Sequence, residues 1–360
     1  FPKETFTVAK GLRDAGYATG IMGKWHVTSN EDGNYMGLTP EGAPNYGFEH
    51  APPRLPDEEF AEGADRGVET LTTQAIEFIE SNRDRPWFCF LSHHMIHGKV
   101  VAPDHLVQKY LDQGYPEEGR NRAVYLAGLE TIDHSMERLM EALDEMGEAE
   151  DTMVIFLSDN GGIDTRYAFG PLEQPHPAQP KFELNARNYS NDPLRAGKGS
   201  LYEGGVRVPM IVRWPGKAPE GRVTDVPVHV IDLMPTFFDV AEAEAPTDHV
   251  VDGKSLVSLL GDGEDESLAD RSLYQYYPFY DLRWGLTPSV TVRKGDLKLI
   301  EFFGDRVDAE GRYIPGHHIE LYDLAEDIGD HLRHKRLGGY PQAAWVSIEH
   351  EPVVAAEHLD

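Results

Sequence analysis

GYATGIMGKWH, residues 16–26, joins a glycine and a short apolar run to a second glycine, then sets a lysine and a histidine two positions apart. The run YATGIM reads as a short buried strand. Just upstream, ETFTVAKGLRDA (4–15) spaces Phe6, Leu12 and Ala15 like one face of a helix, and Gly16 is a natural stop. A helix feeding a buried strand that ends in polar residues is a building unit of α/β folds.

The unit recurs along the chain. Residues 66–82 carry Val68, Leu71, Ala75, Ile76 and Ile79 at helical spacing, and PWFCFLS (86–92) follows as a strand. Another helix is expected over 121–146. TMVIFLSDN (152–160) is an apolar strand ending in polar residues, and VPMIVRW (208–214) is a further strand. DLMPTFFDVAEA (232–243) reads as a helix with Pro235 near its first turn. This alternation predicts an α/β fold, a mostly parallel sheet sandwiched by helices. After about residue 265 the pattern changes: SLYQYY, SVTVRKG and LKLIEFF look like hairpin strands, with 294–296 as a turn. The expected organisation is an α/β core over 1–265 and a small C-terminal subdomain with an antiparallel sheet over 266–360.

Composition narrows the function. A net charge of −29 argues against nucleic acid and anionic membranes as partners. No apolar run reaches the roughly 18 residues of a membrane span. The single cysteine, Cys89, excludes an internal disulfide framework and zinc–thiolate clusters. Its setting, RPWFCFLS, reads as core, so it is expected to be a packed thiol and not a nucleophile.

Ligands of open α/β sheets collect at the carboxyl ends of strands. GKWH places Lys24 and His26 at one such end, SHHMIHGK places His93, His94 and His97 at another, and SDNGG places Asp159 and Asn160 at a third. The glycine- and proline-rich stretch 161–205 adds Lys198 and Glu203 in AGKGSLYEGG. Asp and Asn oxygens suit a hard divalent cation. Lysines neutralise an anionic group and histidines shuttle protons, so the inventory suits hydrolysis of an anionic ester. Each piece alone has a plain reading: Asp-Asn-Gly-Gly is ordinarily a turn, and Lys24 a surface lysine.

The order of these motifs resembles that of the sulfatase family, within the alkaline phosphatase superfamily. GYATGIMGKWH is similar to the family's second signature, FLSDNGG to its metal-binding segment, and PLRAGKGSLYEGGVRVPMIVRWPG (193–216) to its lysine loop. Later landmarks follow in VHVIDLMPTFFDVA, DGKSLVSLL, VRKGDLKLI and ELYDLAEDIGD. The resemblance implies that Asp159 and Asn160 are ligands of a divalent cation, Ca²⁺ with Mg²⁺ as the alternative. It implies that Lys24, His26 and Lys198 contact the sulfate and the nucleophile, and that His97 assists the leaving group. His97 is chosen over His93 and His94 because it stands six residues before Pro103, although HGK replaces the family's HTP. Glu203 is expected to brace the loop.

In the family two more acidic ligands and a Cys/Ser-x-Pro/Ala-x-Arg motif, the precursor of formylglycine, lie upstream; neither is found in this chain. The chain is therefore expected to lack the N-terminal segment with the nucleophile and to be inactive or weakly active as it stands. The function expected for the lineage is a sulfuric ester hydrolase acting on sulfated carbohydrate or aryl sulfate esters. A phosphoester or phosphonate hydrolase on the same scaffold, or a non-catalytic sulfatase-like protein, is the alternative. An open sheet edge would make a homo-oligomer, and the family's habit is periplasmic or secreted. Lys24, Lys99, Arg195 and Lys198 are the cations expected to form a local positive patch for the substrate.

Overall fold

A computed structural model of the chain describes residues 2–28, 31–97, 100–118, 122–163, 190–247, 249–261, 265–278, 280, 287–307 and 313–329. In chain order the elements are α1 (Val8–Asp14), β1 (Ala18–Gly23), the short strands β2 (Gly33–Asn34) and β3 (Gly37–Leu38), α2 (Val68–Ser81), β4 (Trp87–Ser92), α3 (Asp104–Asp112) and α4 (Ala123–Met146). Then come β5 (Val154–Leu157), α5 (Glu203–Val206), β6 (Met210–Arg213), α6 (Leu233–Ala241), α7 (Val257–Leu260) and α8 (Glu266–Ala269). The C-terminal strands are β7 (Ser272–Tyr277), β8 (Ser289–Lys294), β9 (Leu297–Phe302), β10 (Arg306–Val307), β11 (Tyr313–Ile314) and β12 (His318–Asp323).

The chain divides into two compact units. Described residues before Asp159, Ser190 and those in Pro209–Arg271 form the first; those in 159–163, Asn191–Val208 and 272–329 form the second.

In the first unit β1 and β4 pair in parallel, from Ala18 opposite Trp87 to Gly23 opposite Ser92. Thr7 starts the helix before β1, its hydroxyl accepting the Lys10 N–H, and Gly16 in the left-handed region ends it. Helix α2 turns Leu71, Ala75, Phe78 and Ile79 onto Ala18 and Met22 of β1, and Leu143 of α4 joins the same cluster. Cys89 packs at the edge of that cluster, and burial pushes its thiol up to about 12, as expected of a core residue.

Strand β6 runs antiparallel to β5, with Met210 opposite Leu157. The chain re-enters the ladder beside the residue where it left, which is hairpin geometry with a long excursion between the strands. The α/β core is thus mixed in strand direction. Among the described residues β4 pairs only with β1 and β5 only with β6. Phe90 of β4 and Ile211 of β6 remain 42% and 65% exposed.

The second unit is built on a four-stranded antiparallel sheet in the order β12-β9-β8-β7. Gly295, with φ +55°, makes the expected turn between β8 and β9. Ile300, Phe302 and Tyr322 on one face cluster with Ala196, Leu201 and Tyr202 of the lysine loop. The fourth strand, β12, comes from a segment that was expected only as a family landmark.

Candidate active site

Strand β1 ends at Gly23 because only glycine fits there. Its φ is +94°, and a Cβ would stand 2.1 Å from the Ser92 carbonyl oxygen. The next residue closes the join, the Lys24 N–H donating to Ser92 O at 2.8 Å. Trp25 then turns inward, its ring 5.5 Å from Tyr46 and 5.9 Å from Phe48, while His26 stays exposed, 6.1 Å from Tyr35. In extended backbone alternate residues share a side, which explains a lysine and a histidine separated by one anchoring tryptophan. The loop beyond is tied down at buried Asp32, which pairs with Lys3 at 2.8 Å and accepts from Asn45 at 2.9 Å. Lys3 holds the Asp32 carboxyl below its usual range.

Adjacent β4 delivers the three histidines. His93 Nε2 lies 3.0 Å from Ser135 Oγ, which lies 2.6 Å from Thr72 Oγ1. Thr72 donates its only hydroxyl proton to Val68 O at 2.6 Å, so Ser135 donates to Thr72 and accepts from His93. That fixes His93 as the Nε2–H tautomer. Burial, then the neighbouring His94, lowers its pKa to about 4.

His94 is 4% exposed, with the Phe60 ring 5.3 Å away. Burial, followed by the charges of Arg66 and Lys24, lowers it to about 4 as well. Both are neutral braces at moderate pH. His97 is the exposed member of the three, and its N–H donates to His94 O at 3.1 Å.

In the second unit Asp159 is exposed and Asn160 half-buried, the Asn160 Nδ2 donating to Gly161 O at 2.9 Å. Gly161 permits a close approach: its N–H donates to Gly205 O at 3.0 Å, and a Cβ would fall 1.7 Å from Gly204 O. The Lys198 N–H donates to Gly162 O at 3.0 Å, so the lysine loop lies against the Asp-Asn-Gly-Gly segment. Asn191 bonds to both, through Gly162 and Ala196.

Glu203, 1% exposed, receives Lys298 Nζ at 2.7 Å and has Arg293 at 3.5 Å and Arg207 at 3.8 Å. It braces the loop from inside. Arg195 departs from its expected place in a surface patch: it is 5% exposed, stacked 4.0 Å over the Tyr202 ring, and donates to the Tyr322 hydroxyl at 3.1 Å. Both tyrosine hydroxyls donate in turn to Glu320, at 2.7 and 2.6 Å, and burial raises the Tyr322 pKa. A guanidinium buried against one tyrosine ring and bonded to another's hydroxyl is a structural cation. Lys99 lies outside the described residues.

Of the expected site residues, Lys24, His26 and His97 belong to the first unit and Asp159, Asn160 and Lys198 to the second. A carboxylate and an amide oxygen fit a hard divalent cation in kind, and supply part of the six to eight oxygens that Ca²⁺ takes. Among the described residues no three His, Cys, Asp or Glu side chains gather at one point. Asn191 and the Arg195–Tyr202–Tyr322–Glu320 network were not legible as site supports. Asn191 bonds to backbone groups, and the network joins Arg195 and Tyr202 to Tyr322 and Glu320 across more than a hundred positions, which leaves no periodicity; the polar cluster beside AGKG was the one available signal.

The family model described as Sulfatase matches residues 1–243, and that described as N-sulphoglucosamine sulphohydrolase, C-terminal, matches 197–333. A sulfatase of Formosa agariphila is 31% identical over 262 residues, 69% of this chain and 42% of the relative. The chain thus spans less than half the length of that curated relative. Among solved structures, one in complex with its substrate D-glucosamine-2-N,6-O-disulfate is similar at a TM-score of 0.68 and 19% identity, over 97% of this chain and 81% of that one. The phosphonate monoester hydrolase of Agrobacterium radiobacter is similar at 0.62 and 19%, over 97% and 79%. Both likenesses concern the alkaline phosphatase-like fold.

Proposed function

From a chain that belongs to the sulfatase family, we propose a role in a sulfuric ester hydrolase acting on sulfated carbohydrate or aryl sulfate esters. The observation that carries the reading is the Lys198–Gly162 backbone bond, which sets an ammonium-bearing loop against the Asp159–Asn160 segment. Asp159 and Asn160 hold a divalent cation, Ca²⁺ with Mg²⁺ as the alternative. Bound there, the cation supplies positive charge against the oxygens of the ester.

Lys198 offers its ammonium to a sulfate oxygen, and from the end of β1 Lys24 offers an ammonium and His26 a ring N–H. His97 gives a proton to the ester oxygen as its bond to sulfur breaks. The nucleophile is assigned to no residue of this chain. In organisation we propose a core over 1–265 and a C-terminal subdomain over 266–360, with the loop 191–208 packing on the latter's sheet.

The test is sulfate release from 4-nitrocatechol sulfate by the protein carrying this chain, beside 4-nitrophenyl phenylphosphonate. Faster turnover of the sulfate ester is expected. Faster turnover of the phosphonate would favour the second reading, which the fold likeness to a phosphonate monoester hydrolase supports. No turnover of either would favour a non-catalytic protein.

Self-association is part of the proposal, since among the described residues β4 pairs with β1 alone and carries the exposed Phe90. Sedimentation should reveal a dimer that Phe90→Glu weakens. A monomer at high concentration would refute it.

A further inference from the structure

We propose that Asn191 is a positioning residue: its carboxamide locks the Asp159–Asn160 segment and the Lys198 loop into one register. This deepens the reading given under Proposed function and rests on the roles assigned there to Asp159, Asn160 and Lys198.

The carboxamide uses three of its bonding sites on two backbone segments. Its Oδ1 accepts the Gly162 N–H at 3.1 Å, and its Nδ2 donates to Gly162 O at 2.9 Å and to Ala196 O at 2.8 Å. One side chain therefore grips both polar groups of a single residue, as a neighbouring strand would, and reaches across to the second loop. Gly162 stands two residues after Asn160, and Ala196 two residues before Lys198. The Gly162 carbonyl uses its other lone pair on the Lys198 N–H, at 3.0 Å.

Asn191 is itself set by a turn in which the Leu194 N–H donates to its carbonyl at 2.7 Å. The demand on residue type is narrow. Aspartate has the same shape but no donor, and would aim negative charge at two carbonyl oxygens. Serine and alanine do not span the gap. A side chain that only tied loops together would affect stability alone, whereas a positioning residue also sets where the lysine and the cation ligands stand.

The experiment uses the protein carrying the full chain, with Asn191→Ala and Asn191→Asp. Thr152→Val serves as the control, because Thr152 donates to Glu148 O at 2.7 Å in the first unit, before β5 begins. Hydrogen exchange should show peptides covering 161–163 and 197–200 exchanging together at least ~10-fold faster in both Asn191 variants, and unchanged in the control. The kcat for 4-nitrocatechol sulfate should fall at least ~10-fold, and calorimetric Ca²⁺ affinity should fall too, at melting temperatures no lower than the control's.

The proposal is overturned if one segment or neither loosens. It is equally overturned if kcat and Ca²⁺ affinity match the wild type despite a lowered melting temperature. Should the wild type neither release sulfate nor bind Ca²⁺, the functional reading has failed, and the exchange measurement alone decides whether Asn191 couples the loops.

Discussion

Lys198 is joined to Gly162 through its main chain, the lysine N–H donating to the glycine carbonyl at 3.0 Å. The ammonium is no part of that bond. Lys198→Ala is therefore expected to leave the loop's backbone anchor in place, with a stability change of about 1 kcal/mol or less. Sulfate release should fall by about 10²-fold or more, the usual loss when a charge-stabilising donor is removed. Parallel assays of turnover and thermal unfolding check this, and a matching fall in both would count against the assignment.

Glu203 presents the opposite case, a buried acid whose replacement removes the anion that Lys298, Arg293 and Arg207 face. Lys298 is 1% exposed and its partner oxygen lies 2.7 Å away. Glu203→Gln should lower the unfolding free energy by about 3–5 kcal/mol, because breaking one side of a buried pair costs far more than the pair contributes. Urea denaturation measures it. Replacing both residues, Glu203→Gln with Lys298→Met, should recover much of the loss.

His94 makes stability depend on pH. Its folded pKa, about 4, lies below the ordinary 6.5, so the unfolded chain takes up the proton first as pH falls. The stabilising contribution is complete above about pH 6.5 and disappears as pH drops towards 4; at most it is on the order of 2–3 kcal/mol. Urea unfolding between pH 7.5 and 4.5 should show the decline. His94→Gln should flatten the curve in that window, and an unchanged slope would contradict the burial of a neutral imidazole there.

Cys89 is expected to be chemically quiet. Burial drives its thiol up to about 12, so almost no thiolate exists at neutral pH. Iodoacetamide should label it in urea and hardly at all in the native protein. Cys89→Ala should cost about 1 kcal/mol of stability without changing turnover, reflecting lost packing alone. Loss of activity at wild-type stability would contradict its reading as a packed thiol.

Much of the secondary structure was written in local pattern. The expected helices over 4–15, 66–82 and 121–146 correspond to Val8–Asp14, Val68–Ser81 and Ala123–Met146, and the strand at 272–277 to Ser272–Tyr277. Periodicity of apolar residues, glycine stops and turn chemistry act over a few positions, so they are legible without coordinates. The helix α3 and the strand β12 were not among the expected elements.

The sequence by itself determined the family and the alternation of helices and strands. Only tertiary structure decided that β6 runs antiparallel to β5, that Arg195 is buried on the Tyr202 ring instead of facing solvent, and that His93 and His94 are neutral braces while His97 is exposed. It also decided that Asn191 grips two loops at once. The reason is physical: burial and long-range hydrogen bonds depend on which distant residues are brought together, and a local pattern of residues carries no record of its partners.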